Sequence, residues 1–177
     1  MGMIPTFSCT HYLVASFWPS VGSHSALVES SAIPWVNAVL GSRINFDGRK
    51  VIGGVAEGEA LVSKMPLMGW GNVDAKNGYT VERNHPLYEV PFKGKILVFT
   101  TPRGSGGFVG YGMTRNFGTN PAAFLYREGN NLTVFAAMVA NIPTVTDFDQ
   151  DPTEVIETGD HVIVNGDEGM VEIIKKQ

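Results

Sequence analysis

The chain has 177 residues, of which 44% are hydrophobic and 17% charged, a balance typical of one globular protein with a buried core. Its net charge of -4 and the lack of a Lys/Arg stripe argue against a nucleic-acid-binding surface. No apolar run reaches the roughly 18–20 residues of a membrane span, and we recognise no signal peptide, so a cytoplasmic protein is expected.

The first 47 residues differ from the rest in their sequence pattern, and they are predicted to be a short, mainly helical or irregular segment. Glu29-Ser30-Ser31 is typical of a helix start before Ala32–Leu40, and Gly41 ends that pattern. Residues 10–25 show no periodicity and contain several Ser, Gly and Pro breaks.

Residues 48–177 are mostly short apolar runs separated by turn signals, which predicts a β-rich α/β domain. We expect parallel strands in its centre and hairpins around them. The predicted strands are Arg49–Ile52, Gly58–Val62, Lys95–Thr101, Ala122–Arg127, Ile142–Thr146, His161–Asn165 and Met170–Ile174, and the predicted helices are Phe108–Phe117 and Leu132–Ala140. Lys76-Asn77-Gly78 and Gly166–Gly169 are predicted turns.

A glycine-rich turn follows the buried strand Lys95–Thr101 directly and has the sequence Arg103-Gly104-Ser105-Gly106-Gly107. Such a turn before a helix presents backbone N–H groups to an anion. Arg103 can hold a carboxylate or phosphate in a bidentate fork, and Ser105 can exchange a proton at a reacting carbon. The turn therefore indicates a site for a small anionic substrate. A turn without chemistry stays open as an alternative, because the lysine of a phosphate loop and the glycine spacing of a dinucleotide site are both missing.

The remaining polar candidates favour structural roles. The four histidines show no metal-ligand spacing, His85 before Pro86 is predicted to be structural, and His161 to be solvated. Without a placed histidine base, a hydrolase triad at Ser105 is unsupported.

An acidic cluster, Asn120 and Cys9 are the other candidates. Asp149, Asp151 and Glu154 are typical of a solvated turn rather than a metal site. Asn120, before Pro121, either orients a ligand or caps a turn, and the second role is commoner. Cys9, the single cysteine, cannot form an internal disulfide or hold a cluster alone.

Residues 48–177 resemble the small, swivelling subunit or domain of the aconitase X family. The resemblance is carried in order along the segment by Gly54–Val62, Trp70–Asp74, His85–Tyr88, Gly94-Lys95, Arg103-Gly104-Ser105, Pro121-Ala122-Ala123 and Gly159-Asp160. It implies a swivelling β/β/α fold and a hydro-lyase (dehydratase), in which this domain closes over a larger domain that carries an iron–sulfur cluster. Family substrates include cis-3-hydroxy-L-proline and phosphomevalonate.

The resemblance also implies roles for the turn. Ser105 matches the serine thought to remove the proton beside the substrate carboxylate. Arg103 would anchor the carboxylate, and Gly104, Gly106 and Asn120 would shape or contact the substrate site. The cluster would act as Lewis acid on the departing hydroxyl, and a separate large subunit would supply it.

Residues 1–47 resemble a piece of the large catalytic domain of the same family. Cys9 matches an active-site cysteine there and is a candidate iron–sulfur ligand. We therefore place a domain boundary between residues 47 and 48, and we do not expect the chain to catalyse alone. The alternative is a non-catalytic swivel-fold interaction module or truncated relic. A phosphohistidine swivel domain ranks lower, because its Thr-Ser/Thr-His tripeptide is absent.

Overall fold

The structure is a computed structural model that describes residues 42–69, 71–104 and 108–176. The predicted helix Ala32–Leu40 and the candidate site residues Cys9, Ser105 and Gly106 lie outside the described residues.

The described residues form short strands and three helices. The strands are β1 (Arg43–Asp47), β2 (Arg49–Ile52), β3 (Val55–Ser63), β4 (Leu67–Met68), β5 (Val73–Asp74), β6 (Tyr79–Thr80), β7 (Ile96–Phe99), β8 (Pro102–Arg103), β9 (Ala123–Tyr126), β10 (Thr144–Thr146), β11 (His161–Asn165) and β12 (Met170–Ile174). The helices are α1 (Val109–Phe117), α2 (Asn131–Ala140) and α3 (Pro152–Val155). Every strand and helix predicted between residues 48 and 177 is found, within a few residues at its ends.

Eight strands form one mixed sheet in the order β1-β12-β11-β3-β7-β9-β10-β2. Strands β3, β7, β9 and β10 run parallel, and the outer pairs are antiparallel. The predicted parallel centre is therefore confirmed, as is the predicted hairpin of β11 and β12, whereas the other flanking pairs join strands far apart in the sequence. Two short pairs, β4 with β8 and β5 with β6, lie outside the main sheet.

The central strands β7 and β9 are buried at every position. This follows from their sequences, Ile-Leu-Val-Phe and Ala-Phe-Leu-Tyr, because a parallel strand covered on both faces needs apolar side chains on both. One face holds an aromatic cluster under α1 and α2. Its rings belong to Phe99, Phe108, Tyr111, Phe124 and Tyr126. The opposite face is an aliphatic cluster shared with β11, β12 and α3.

Strand β1 is missed by the sequence pattern. It pairs antiparallel with β12, from Arg43 opposite Ile174 to Asp47 opposite Met170, and buries Phe46. Only Ile44 and Phe46 alternate in this five-residue strand, which is too little periodicity to predict it. Residues 43–47 thus add an edge strand to the sheet.

In the part of the chain that the structure describes, no helix has the length and apolar character needed to cross a bilayer.

Asp160 is a fully buried carboxylate that holds the C-terminal strand to the turn before β11. Its oxygens accept hydrogen bonds from the N–H of Glu157 at 2.8 Å, the N–H of Lys176 at 3.0 Å and the Lys175 ammonium at 2.9 Å. Burial by itself would raise the pKa of Asp160, but these donors outweigh it and hold the pKa below its ordinary value of 3.8.

We predict that Asp160→Asn lowers the free energy of unfolding at pH 7 by about 1–3 kcal/mol, because buried donors lose a charged acceptor. Since the folded-state pKa is depressed, the contribution of the carboxylate is complete above the ordinary value of 3.8 and disappears as pH falls through the folded-state pKa. Urea denaturation of both proteins between pH 7 and pH 3 measures this. The difference should shrink below the ordinary pKa, and the exposed control Asp167→Asn should differ little from wild type at any pH.

Candidate functional site

The candidate site lies at the carboxyl edge of the central parallel strands. Strand β7 ends at Phe99, and the chain continues through Thr101 into β8, where Arg103 lies opposite Met68 of β4. In open α/β sheets, ligands bind outside the carboxyl ends of the strands. The turn that the sequence singles out therefore leaves the sheet at a position where a ligand site is expected.

Gly104 has a backbone φ of +96°. A Cβ atom there would meet Met68 Cγ at 3.5 Å, an ordinary contact. The glycine is thus needed for its backbone conformation rather than for space. It turns the chain directly after Arg103, just before the position of Ser105.

The Arg103 guanidinium is paired with the carboxylate of Glu82. The contact joins Arg103 Nη2 to Glu82 Oε1. The Arg103 side chain is 40% exposed, whereas the Glu82 side chain is only 14% exposed. The second oxygen of Glu82, Oε2, is buried and has no hydrogen-bond partner among the described residues. The carboxylate that Arg103 holds in this structure therefore belongs to the protein's own Glu82.

The segment that carries Glu82 is fixed by a buried histidine. His85 Nδ1 accepts the N–H of Leu87 at 3.1 Å, so the proton of the neutral ring is on Nε2, which lies 3.1 Å from Ser63 Oγ. Burial lowers the pKa of His85, against a smaller opposing effect of a hydrogen bond that the ring donates to the Met65 backbone. His85 is therefore neutral at pH 7, and the predicted structural role is confirmed.

Asn120 lies at the other end of the central strands. Its Nδ2 donates to the Pro121 carbonyl at 3.1 Å, and its own carbonyl accepts the N–H of Gly94 at 3.0 Å. Asn120 precedes β9, which runs parallel to β7, whereas Arg103 follows β7. The two residues are therefore separated by the length of a four-residue strand, about 13 Å at roughly 3.3 Å per residue. The structure brings Arg103 and Gly104 together and leaves Asn120 apart from them.

No group of three or more His, Cys, Asp or Glu side chains within the described ranges could hold a metal ion. Asp151 instead caps α3 by accepting the Thr153 N–H at 2.9 Å, and Glu154 pairs with Lys64 at 2.7 Å. Asp151 and Glu154 thus have structural partners within the chain. His161 is half-exposed, 3.8 Å from Glu57, and is solvated as predicted. The described residues therefore do not fit an iron–sulfur cluster, and Cys9 lies outside them.

Glu82 is a residue of the candidate site that the sequence pattern misses. It stands in Val81-Glu82-Arg83, a polar loop with no periodicity. It has no spacing relation to Arg103, because the two side chains meet only through a tertiary contact. The one signal nearby is His85-Pro86, which predicts an extended, fixed loop.

Comparison with known proteins gives two family matches. A model described as the aconitase X swivel domain matches residues 45–173, and one described as the aconitase X first domain matches residues 1–71. Two curated relatives are named phosphomevalonate dehydratase small subunit. The Methanosarcina mazei protein is 39% identical over 135 residues, covering 75% of this chain and 93% of the relative. The Methanosarcina acetivorans protein is 40% identical over 134 residues, covering 75% and 92%.

A solved structure agrees with this result. The crystal structure of Thermococcus kodakaraensis aconitase X in its holo-form superposes with a TM-score of 0.67 at 30% identity, and the match covers 75% of this chain and 99% of that one. The swivel-domain family model, which matches residues 45–173, spans strands β2 to β11 and Arg103. The predicted swivel-type α/β fold is thereby confirmed, and this chain belongs to the aconitase X family.

Proposed function

We propose that the chain is the swivelling component of a hydro-lyase that dehydrates a small hydroxylated carboxylate, with a large catalytic subunit as its partner. The observation that carries the proposal is the place of Arg103 and Gly104, which lie at the carboxyl edge of β7 immediately before Ser105. The names of the relatives favour phosphomevalonate over cis-3-hydroxy-L-proline as the substrate.

In this proposal Arg103 anchors the anionic end of the substrate. A guanidinium binds a carboxylate or a phosphate equally well through paired N–H donors. Arg103 Nη2 donates a hydrogen bond to Glu82 Oε1, and the other guanidinium N–H groups have no hydrogen-bond partner among the described residues. Glu82 thus holds the guanidinium in one orientation while leaving donors for the substrate.

Ser105 removes the proton beside the carboxylate. The C–H electron pair then forms the double bond as the C–O bond breaks and hydroxide leaves. A serine hydroxyl is a weak base and needs a nearby positive charge and a dry site to lower its pKa. In this proposal Arg103, two residues earlier in the sequence, supplies that charge.

The family resemblance assigns an iron–sulfur cluster to the large subunit, where it would assist departure of the hydroxide as a Lewis acid. Because the described residues do not fit such a cluster, the roles proposed for this chain are binding the anion, removing the proton and closing the site.

The role of Glu82 leads to a prediction. In the complex with the large subunit, Glu82→Ala should raise KM about tenfold or more with a smaller effect on kcat, because Arg103 loses its orienting partner. Glu82→Gln keeps an acceptor oxygen for Nη2 and should restore most of the affinity. Steady-state kinetics of wild type, Glu82→Ala and Glu82→Gln gives the KM and kcat values to compare. Equal KM for Glu82→Ala and wild type would show that Glu82 does not position Arg103.

Reconstitution tests the function itself. The chain is mixed with an aconitase X-type large subunit, and dehydration of phosphomevalonate and of cis-3-hydroxy-L-proline is followed by product analysis. We expect turnover of phosphomevalonate only when both proteins are present. A complex that turns over neither compound would support the alternative, a non-catalytic swivel-fold interaction module.

A further inference from the structure

The outer faces of α1 and α2 are apolar and exposed. On α1 the exposed apolar residues are Val109, Met113 and Phe117, which follow the four-residue spacing of one helix stripe. On α2, Phe135 is 50% exposed and Met138 is 62% exposed. We call these five residues the helix patch. Surface helices normally turn polar side chains outward, so this arrangement needs an explanation.

Charge is almost absent from the two helices. Arg115 is the single charged residue of α1, and α2 contains none. The helices also lie close together, because a Cβ atom on Gly112 would come within 2.8 Å of the Val139 carbonyl oxygen. The exposed apolar residues therefore lie on two helices that are in direct contact. Exposed apolar surface of this kind marks an interaction site.

The helix patch is continuous with the candidate active site. The N–H of Gly110, in the first turn of α1, donates to the Gly69 carbonyl at 2.9 Å, directly after β4. Asn130, which caps α2, donates through Nδ2 to Thr101 Oγ1 at 3.2 Å, directly before β8. Strands β4 and β8 are the pair that holds Arg103. Both helices thus start beside Arg103, and their exposed residues extend away from it.

We infer that the helix patch is the docking surface for the large catalytic subunit. The inference rests on the proposed function, in which a partner must complete a site that begins at Arg103. A protein that covers this edge of the sheet also contacts the first turns of α1 and α2. The exposed apolar side chains of the helix patch would pack against an apolar surface on that partner. The relatives are named as small subunits, which implies a larger partner for those proteins.

The test compares methionine substitutions in the full chain. Met113→Lys/Met138→Lys places two charges in the helix patch, and Met170→Lys places one on β12, where Met170 is 44% exposed. Affinity for the large subunit is measured by titration calorimetry. We expect the double variant to bind at least about tenfold more weakly and Met170→Lys to bind as wild type does. At saturating large subunit, kcat of the double variant should equal that of wild type.

Four outcomes would overturn the inference. The first is equal affinity of wild type and the double variant, and the second is a wild-type chain that does not bind the large subunit. The third is a wild-type chain that is dimeric alone and becomes monomeric in the double variant, because a second copy would then cover the patch. The fourth is a lower unfolding temperature of the double variant alone, which would show that its own chain covers the patch. A complex that depends on the helix patch but dehydrates no substrate would support the inference and contradict the proposed function.

Discussion

Ser105→Ala is expected to abolish dehydration in the complex with the large subunit. Removal of a general base typically lowers kcat by about 10²–10⁴-fold, and no histidine is placed by the sequence to take over the proton. The change deletes one oxygen atom from a glycine-rich turn, so the fold and the assembly of the complex should be unaffected. Initial rates with phosphomevalonate, measured at matched concentrations of assembled complex, give the result.

The control for this prediction is Ser42→Ala. Ser42 is exposed just before β1, and its contact with the sheet is made by its main-chain carbonyl, which accepts the N–H of Lys175 at 3.2 Å. The same substitution should therefore leave the rate unchanged at that position. If Ser105→Ala complexes retained the wild-type rate, Ser105 would not be the base, and the role of the turn would be limited to binding.

Phe124→Ala should have the largest effect on stability. Phe124 is fully buried in β9, at the centre of the aromatic cluster. Its ring centroid lies 5.4 Å from those of Phe108 and Tyr111, both nearly perpendicular to it. The substitution removes this packing and leaves a cavity, which costs about 3–5 kcal/mol for a buried phenylalanine. The midpoint of urea denaturation should fall accordingly.

Two variants keep this prediction testable. If Phe124→Ala fails to fold, Phe124→Leu retains most of the apolar volume and should show a smaller loss. Phe117→Ala is the matched control, because Phe117 is 52% exposed and its removal should change the free energy of unfolding by no more than about 0.5 kcal/mol in the isolated chain. Equal effects at Phe124 and Phe117 would contradict the assignment of the core.

The central strands illustrate what could be predicted from local sequence. The runs at β7 and β9 are short, continuous and apolar, and they are followed by segments with helix character, so both their type and their burial could be predicted. The hairpin of β11 and β12 likewise follows from alternation around Gly166–Gly169. By contrast, β1 carries too few apolar residues to be recognised, because its strand character comes from pairing with β12.

The residues of the candidate site also differ in how far they could be predicted from local sequence. Arg103 and Gly104 could be proposed from the sequence, because a turn after a buried strand is a local pattern with local chemistry. Glu82 could not, since it is separated from Arg103 along the chain and pairs with it only after folding. Asn120 is predicted to contact the substrate, whereas the parallel arrangement of β7 and β9 places it at the opposite edge of the sheet.

The sequence by itself determined the family, the β-rich swivel-type fold and the position of the glycine-rich turn, because apolar periodicity, turn residues and ordered motifs act over a few residues each. Only the tertiary structure decided which carboxylate accompanies Arg103, which end of the sheet Asn120 occupies, and that α1 and α2 pack against each other with exposed apolar residues on both. Those facts depend on strand order and on helix packing, which bring together residues far apart in the chain.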